Sequence, residues 1–255
     1  MNKNSTLLIG MIHLPRISNS SINDLVQYAQ QEADKLVNLG FSAMLIENFN
    51  DTPFPKDTIT ESELVKLSII CHELSKSKKI PLGLNVLRNA CRQAMVIASN
   101  TDFDFIRCNI WEGAYVTDQG IIESAAQEVI RTKRQLDSSV QVFADIFVKH
   151  AKPLVNFDPK DAAENALYRG GADRIIISGQ KTGDEPSMSL LEELNKIGIK
   201  PLLGSGVNIT NIQKFSSKIS GAIVGTSIKE NMIVTNPISL SEGEKFVANW
   251  NKYVD

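Results

Sequence analysis

Several things are scarce in this 255-residue chain, and each scarcity excludes something. There are three cysteines, Cys71, Cys91 and Cys108, with no CxxC spacing, which argues against a structural zinc site and a disulfide framework and fits a reducing cytosol. Charge of either sign is not in excess: 27 Lys and Arg stand against 29 Asp and Glu, a net charge of -2, so no nucleic-acid partner is expected. The apolar run at 7–14 is too short to cross a bilayer and has no cleavage-site pattern, so neither a transmembrane segment nor a secretory leader is expected. Peripheral membrane association stays open, and the cytoplasm is the expected location. No GxGxxG follows the first apolar run, which disfavours an open dinucleotide-binding sheet. Aromatic residues make up 6% of the chain; they are scattered and read as core.

What is present is an alternation. Short apolar runs at 6–13, 43–47, 82–87, 103–109, 140–148, 173–178, 202–203 and 222–224 read as strands. Between them lie helical patterns at 22–39, 62–77, 91–98, 121–136, 159–169 and 190–196, and a last one at 240–253. The first has Leu25, Ala29, Ala33, Leu36 and Val37 on one stripe, with Ser21 or Asn23 to cap it and Gly40 to end it. Eight strands alternating with helices imply parallel βαβ units and closure, and 255 residues is close to the length typical of a single (β/α)8 TIM barrel. The expectation is therefore one such domain over 1–255. The longest irregular stretches, 48–60, 111–120 and 179–189, all follow strands and so belong to the face that carries active sites in this fold.

The last two strands run into small residues: Lys200-Pro-Leu-Leu-Gly-Ser-Gly-Val207 and Gly221-Ala-Ile-Val-Gly-Thr-Ser227. Side by side, two such ends make a cradle of backbone N–H groups for a phosphate. Gly206, Val207, Gly225 and Thr226 would supply the N–H groups, with the Ser205 and Thr226 hydroxyls assisting. Two ordinary buried strands with glycine turns would look alike in sequence.

Polar residues stand where the other strands stop. His13 ends the first; Glu47 and Asn48 the second; Asn85, Arg88 and Asn89 the third; Arg107 and Asn109 the fourth; Asp145 and Lys149 lie in and after the fifth; Ser178, Lys181 and Thr182 follow the sixth. Each has a plain structural reading. Asp145 pairs with Arg107 or Lys149 inside the barrel; His13 is a satisfied core histidine; Asn85 and Asn109 bond loop backbone; Asp118 begins a turn or caps a helix. His72 sits mid-helix, and His150 falls on the opposite face from Lys149. Provided the fifth strand stays extended, Phe143, Asp145, Phe147 and Lys149 share one face. The plain readings leave convergence unexplained, since the first five strands each place a polar group at the same end.

Those residue types suit acid–base work on a phosphorylated small molecule. Asp145 and Glu47 are carboxylates for general acid and base; Lys149 is a base or Schiff-base former; His13 is a third proton carrier. Asn48, Asn85, Arg88, Arg107, Asn109, Asp118, Ser178 and Thr182 are candidates for substrate binding. No cofactor is evident. A divalent metal on Glu47, Asp145 and Asn oxygens is conceivable, but no spacing demands it.

The motifs also resemble a known family. Ile9-Gly-Met-Ile-His-Leu-Pro15, Ile46-Glu-Asn-Phe-Asn-Asp-Thr-Pro-Phe54, Pro81-Leu-Gly-Leu-Asn-Val-Leu-Arg-Asn89 and Phe105-Ile-Arg-Cys-Asn109 are similar to segments of the BtpA/SgcQ family. So are Thr117-Asp-Gln-Gly120, Ala144-Asp-Ile-Phe-Val-Lys-His-Ala151, Ser178-Gly-Gln-Lys-Thr-Gly183, Gly204-Ser-Gly-Val207 and Val224-Gly-Thr-Ser-Ile-Lys229. The resemblance runs in order along nearly the whole chain. It implies a TIM-barrel-like fold and either a sugar-metabolism setting or a photosystem I biogenesis role. Two departures stand out. Arg16-Ile-Ser-Asn19 replaces the family's further prolines and glycine, and Ala90 replaces the Asp that the family carries after Arg88-Asn89. If that Asp binds substrate, this chain differs in specificity or activity. The first expectation is a cytosolic enzyme acting on a phosphorylated sugar or nucleoside-like molecule by isomerase, lyase or glycosyl-bond chemistry. The second is a barrel reused, without catalysis, as an assembly factor. A homo-oligomer suits either.

Overall fold

The computed structural model describes residues 6–148, 151–179 and 185–254. Lys149, His150, Lys181 and Thr182 lie outside the described residues. Eight parallel strands close on themselves: β1 (Leu7–His13), β2 (Ala43–Glu47), β3 (Leu82–Asn85), β4 (Phe105–Cys108), β7 (Gln141–Asp145), β9 (Arg174–Ile177), β10 (Leu202–Leu203) and β11 (Gly221–Val224). Around the barrel the order is β1-β11-β10-β9-β7-β4-β3-β2, which is the expected closure. A separate sheet, β6-β5-β8, is built from β5 (Ala114–Thr117), β6 (Gly120–Glu123) and β8 (Lys152–Pro153).

The strands are buried on both faces, so they read as apolar runs, and their period of two decides which residue faces where. Leu7, Ile9 and Met11 of β1 join Ala43, Leu45, Phe105, Phe143, Ile176, Leu202 and Ile223 in one cluster that fills the barrel. Phe105 and Phe143 stack there at 4.4 Å between centroids, and a Cβ on Gly83 would run into the Phe105 ring. The alternate residues, Leu8 and Ile12 on β1 among them, pack outward against the helices in the larger cluster. That shell is formed by α1 (Ile22–Asn38), α2 (Glu61–Lys76), α3 (Cys91–Asn100), α4 (Ala126–Gln135), α5 (Pro159–Glu164), α6 (Met188–Lys196), α7 (Ile212–Phe215) and α8 (Leu240–Tyr253).

Local chemistry sets the helix ends. Ser21, not Asn23, caps α1 by accepting from the Asp24 N–H, and Gly40 follows its end at φ +84. Thr60 and Glu63 form a reciprocal capping box on α2.

Three expectations are corrected. The helix expected over 121–136 begins only at Ala126, because residues 114–123 form a hairpin. Its alternation is of period two: Tyr115 and Ile122 are buried in a small core with Ile110 and Val148, while their neighbours Val116 and Ile121 are exposed. The helix expected over 159–169 changes at Asn165 into a π-helical turn, Asn165–Arg169. The fifth barrel strand ends at Asp145, and Phe147 turns to φ +55 and packs outward against the larger cluster. The shared face of Phe143 and Asp145 therefore stops there.

Glu112, between β4 and β5, is half-buried, and burial raises its carboxyl pKa from 4.5 to about 7. The folded state thus holds a proton that the unfolded chain releases, so this residue's contribution to stability falls as pH rises from 4.5 towards 7. Glu112→Gln should remove that loss. Urea midpoints at pH 5 and pH 8 should show the variant gaining on the wild type at the higher pH, and equal differences at both would contradict the assignment.

Candidate functional site

The same alternation that fills the barrel places polar groups at its C-terminal mouth. One step beyond Met11, Leu45 and Phe105 on their inward columns stand His13, Glu47 and Arg107. Strand register sets His13 beside Glu47, Glu47 beside Asn85, and Asn85 beside Arg107. Where another layer of apolar bulk would sit, four neighbouring strands present a polar row. All four side chains are buried. Above them opens a cavity of about 430 Å³.

The row is internally bonded. Asn85 Nδ2 donates to Glu47 Oε2 at 2.6 Å, leaving Glu47 Oε1 3.9 Å from His13 Nε2. His13 Nδ1 lies 3.1 Å from the Val234 carbonyl. A carbonyl only accepts, so Nδ1 carries the hydrogen, and Nε2 faces Glu47 and the cavity. Phe49 packs on the same imidazole at 4.7 Å between centroids.

Arg107 holds Asp145 in a fork, Nε to Oδ2 at 2.7 Å and Nη2 to Oδ1 at 2.9 Å. Burial pulls the guanidinium's pKa down, but the charge and hydrogen bonds of Asp145 outweigh it, and the net shift is upward. Asp145 does not line the cavity, whereas Arg107, which holds it, does. Both its oxygens are committed to Arg107, so the arrangement is the ion pair named above as its structural reading. A joint metal set of Glu47 and Asp145 is not formed among the described residues: Arg107 takes both Asp145 oxygens and Asn85 one of those of Glu47. Arg88 lines the cavity, and burial lowers its pKa against the charges of Asp145, Asp118 and Glu47.

The cradle closes the other side. Gly204, Ser205, Gly206, Val207, Gly225, Thr226 and Ser227 all line the cavity. Ser227 Oγ donates to the Val207 carbonyl at 2.7 Å and so ties the two turns together. Buried Asn211 shapes the first turn, donating to the Gly206 carbonyl at 2.7 Å and accepting from the Asn208 N–H at 2.8 Å. Gly206 has φ +76, which glycine tolerates. Gly204 permits close approach, because a Cβ there would lie 2.5 Å from Ser178 Oγ and 3.1 Å from Arg107 Nη2. Among the described residues, the N–H groups of Gly206, Val207, Gly225 and Thr226 donate to no turn or loop carbonyl.

Ten sequence candidates meet at this cavity: His13, Glu47, Arg88, Arg107, Asn109, Ser205, Gly206, Val207, Gly225 and Thr226. Asn85, Asp145 and Ser178 support it from beneath. Asn48 does structural work instead: its Oδ1 accepts from the Leu87 N–H at 2.7 Å, which holds the turn that carries Arg88. Asp118 is exposed in the hairpin turn and accepts from Gln119 at 2.6 Å. Sequence reasoning missed Phe49, Phe54, Met232 and Val234, which also line the cavity. Reading the aromatics uniformly as core was wrong for Phe49 and Phe54. Their place in a loop following a strand was the available signal. Met232 and Val234 carried none.

Buried polar atoms without partners mark the same place. Asn85 Oδ1, Asn109 Oδ1, Ser178 Oγ and Ser205 Oγ have no hydrogen-bond partner among the described residues. Such orphans are costly unless a ligand or water completes them. No described helix is long and apolar enough to cross a membrane, and no group of three His, Cys, Asp or Glu that could hold a metal occurs among the described residues.

Comparison with known proteins agrees with the fold. The chain is similar to the phosphoribosyl anthranilate isomerase of Thermococcus kodakaraensis, with a TM-score of 0.57 at 15% identity over 95% of this chain and 98% of that one. An uncharacterised protein of Methanocaldococcus jannaschii is 38% identical over 96% of this chain and 95% of its own length. The photosystem I biogenesis protein BtpA of Synechocystis is 36% identical over 88% of this chain and 80% of its own. The BtpA family model matches residues 4–252, and the chain belongs to the BtpA family.

Proposed function

We propose that this protein is an enzyme whose cavity binds a phosphorylated sugar or nucleoside-like molecule, with the phosphate on the β10–β11 cradle and acid–base chemistry at His13 and Glu47. The observation that carries the reading is the meeting of two sets of residues in one cavity: the paired small-residue turns and, beside the Gly225 turn, the His13–Glu47 pair. His13 Nε2 accepts a proton while the Val234 carbonyl fixes its ring, and Glu47 exchanges a proton at the adjoining atom of the substrate. Arg107, its charge balanced by Asp145, positions the ligand's polar groups. Lys149 and Thr182 keep the roles of base and substrate contact within this proposal. Proton transfer between two such groups suits isomerase, lyase or glycosyl-bond reactions. The Thermococcus isomerase, by its name, acts on a phosphorylated sugar, which agrees with this reading without establishing it.

The test is thermal denaturation with inorganic phosphate and sugar phosphates. A ligand at about 100 times its Kd adds roughly 2.7 kcal/mol to the native state. Ser205→Asp sets a carboxylate in the cradle and should abolish that stabilisation while the variant stays folded by circular dichroism. Equal stabilisation of wild type and variant would remove the cradle assignment.

A second reading, a non-catalytic assembly factor, has one observation in its favour. Val116, Ile121, Leu154 and Val155 are exposed on and beside the hairpin sheet, and the Synechocystis relative is named for photosystem I biogenesis. A cavity that binds no phosphorylated compound would favour it.

A further inference from the structure

The cavity is built for more than a sugar phosphate. A bare sugar phosphate is polar all round, yet the lining also carries Phe49, Phe54, Leu87 and Val234. Phe49 and Phe54 are only half-buried in the protein itself, so each keeps aromatic surface for a ligand. Their loop is fastened on both sides. Arg16 donates to the carbonyls of Asn50 and Thr52 at 3.2 and 2.6 Å, and Asp51 accepts from the Ile17 N–H at 2.7 Å. On the far side the N–H groups of Arg88 and Asn89 donate to the carbonyls of Pro55 and Lys56, each at 3.1 Å. Rigid aromatic groups offered to a cavity lose little entropy on binding and favour a flat partner.

A second, independent feature is Asn109. It is 3% exposed and lines the cavity, and its Oδ1 has no partner among the described residues. Its Nδ2 faces the Asp145 carboxylate at 3.5 Å, which fixes the amide with its oxygen free to accept. That oxygen calls for an N–H or O–H donor on the ligand.

We infer that the ligand is a phosphorylated sugar bearing a flat ring, of the mononucleotide type, with the ring against Phe49 and Phe54 and a donor on its edge received by Asn109 Oδ1. The inference rests on the proposed phosphate site and narrows what occupies it. Leaving Asn109 Oδ1 without its donor penalises ring-free or donor-free analogues, since a buried acceptor then stays unpaired.

Calorimetric titration with inorganic phosphate, ribose 5-phosphate and the four ribonucleoside 5′-monophosphates tests it. At least one mononucleotide should bind 10-fold or more tightly than ribose 5-phosphate. Phe54→Ala should weaken that mononucleotide at least 5-fold more than it weakens ribose 5-phosphate, and Asn109→Leu should flatten discrimination among the four bases. Phe49→Leu, which keeps bulk and loses the aromatic face, repeats the test if Phe54→Ala does not fold. Ribose 5-phosphate binding as tightly as every mononucleotide, or Phe54→Ala weakening both equally, overturns the ring while leaving the phosphate site standing. Binding of none of the six compounds overturns both readings.

Discussion

Arg107→Leu should lower the unfolding free energy by about 3–5 kcal/mol, the typical cost of leaving one member of a buried ion pair alone. Arg107 is 4% exposed and Asp145 2%, and the guanidinium meets both carboxylate oxygens. Removing the cation strands a buried carboxylate at the barrel mouth, with the Asn109 amide at 3.5 Å and the charge of Arg88 left in place of the fork. Arg107→Lys keeps the charge but not the two parallel bonds, so it should cost less than the leucine variant. The double variant Arg107→Leu, Asp145→Leu should recover much of the loss, because no unpaired charge remains. Urea denaturation of the wild type, the two Arg107 variants, Asp145→Leu and the double variant measures this. Additive losses in the double variant would mean that the two side chains act independently, contrary to the fork geometry.

Glu32→Gln should cost a similar amount, about 3–5 kcal/mol, far from the cavity in sequence but not in consequence. Glu32 lies on α1 and is 1% exposed. Its Oε1 takes Lys35 Nζ at 2.7 Å; its Oε2 takes Lys229 Nζ at 3.3 Å and the Ile238 N–H at 2.8 Å. Lys229 is fully buried, and burial lowers its pKa against the opposing charge of Glu32. Without that charge the ammonium is disfavoured in the fold but not in the unfolded chain. The unfolded state then binds more protons, so the variant's stability should rise with pH as it approaches the ordinary lysine value of 10.5. Glu32→Gln with Lys229→Met should abolish that slope. The pair also pins both ends of the 229–238 segment, where Lys229 and Ile238 form an isolated bridge. Between them lies Val234, whose carbonyl orients His13. Hydrogen exchange at the Glu230, Met232 and Ile238 amides should therefore quicken in the variant. Unchanged exchange would separate the buried pair from the placement of His13.

Much of this molecule is legible in one dimension because its order is periodic. Short apolar runs between helical stripes identify the eight barrel strands, and the parity of each strand puts His13, Glu47, Asn85, Arg107 and Asp145 on the inward columns. That Ser205, Gly206, Val207, Gly225 and Thr226 line one cavity follows from the same order, since β10 and β11 are neighbours and both end at the mouth. Of the hairpin at 114–123, the first strand was read as irregular and the stretch from Ile121 as the start of a helix, because a short apolar stretch fits either period until its partner strand is known.

What tertiary structure alone decided is pairing across the chain. Sequence allowed Asp145 to be an acid, a base, a metal ligand or an ion-pair partner; only the proximity of β4 and β7 hands it to Arg107. His13 becomes a ring of fixed orientation because Val234, 221 residues away, lays its carbonyl on Nδ1. Glu32 and Lys229, 197 residues apart, meet in the interior though neither stands out in sequence. Local sequence determines backbone periodicity through sterics and burial, which act over a few residues. The state of a buried polar group depends on the partner that replaces its water, and closure of the barrel chooses that partner.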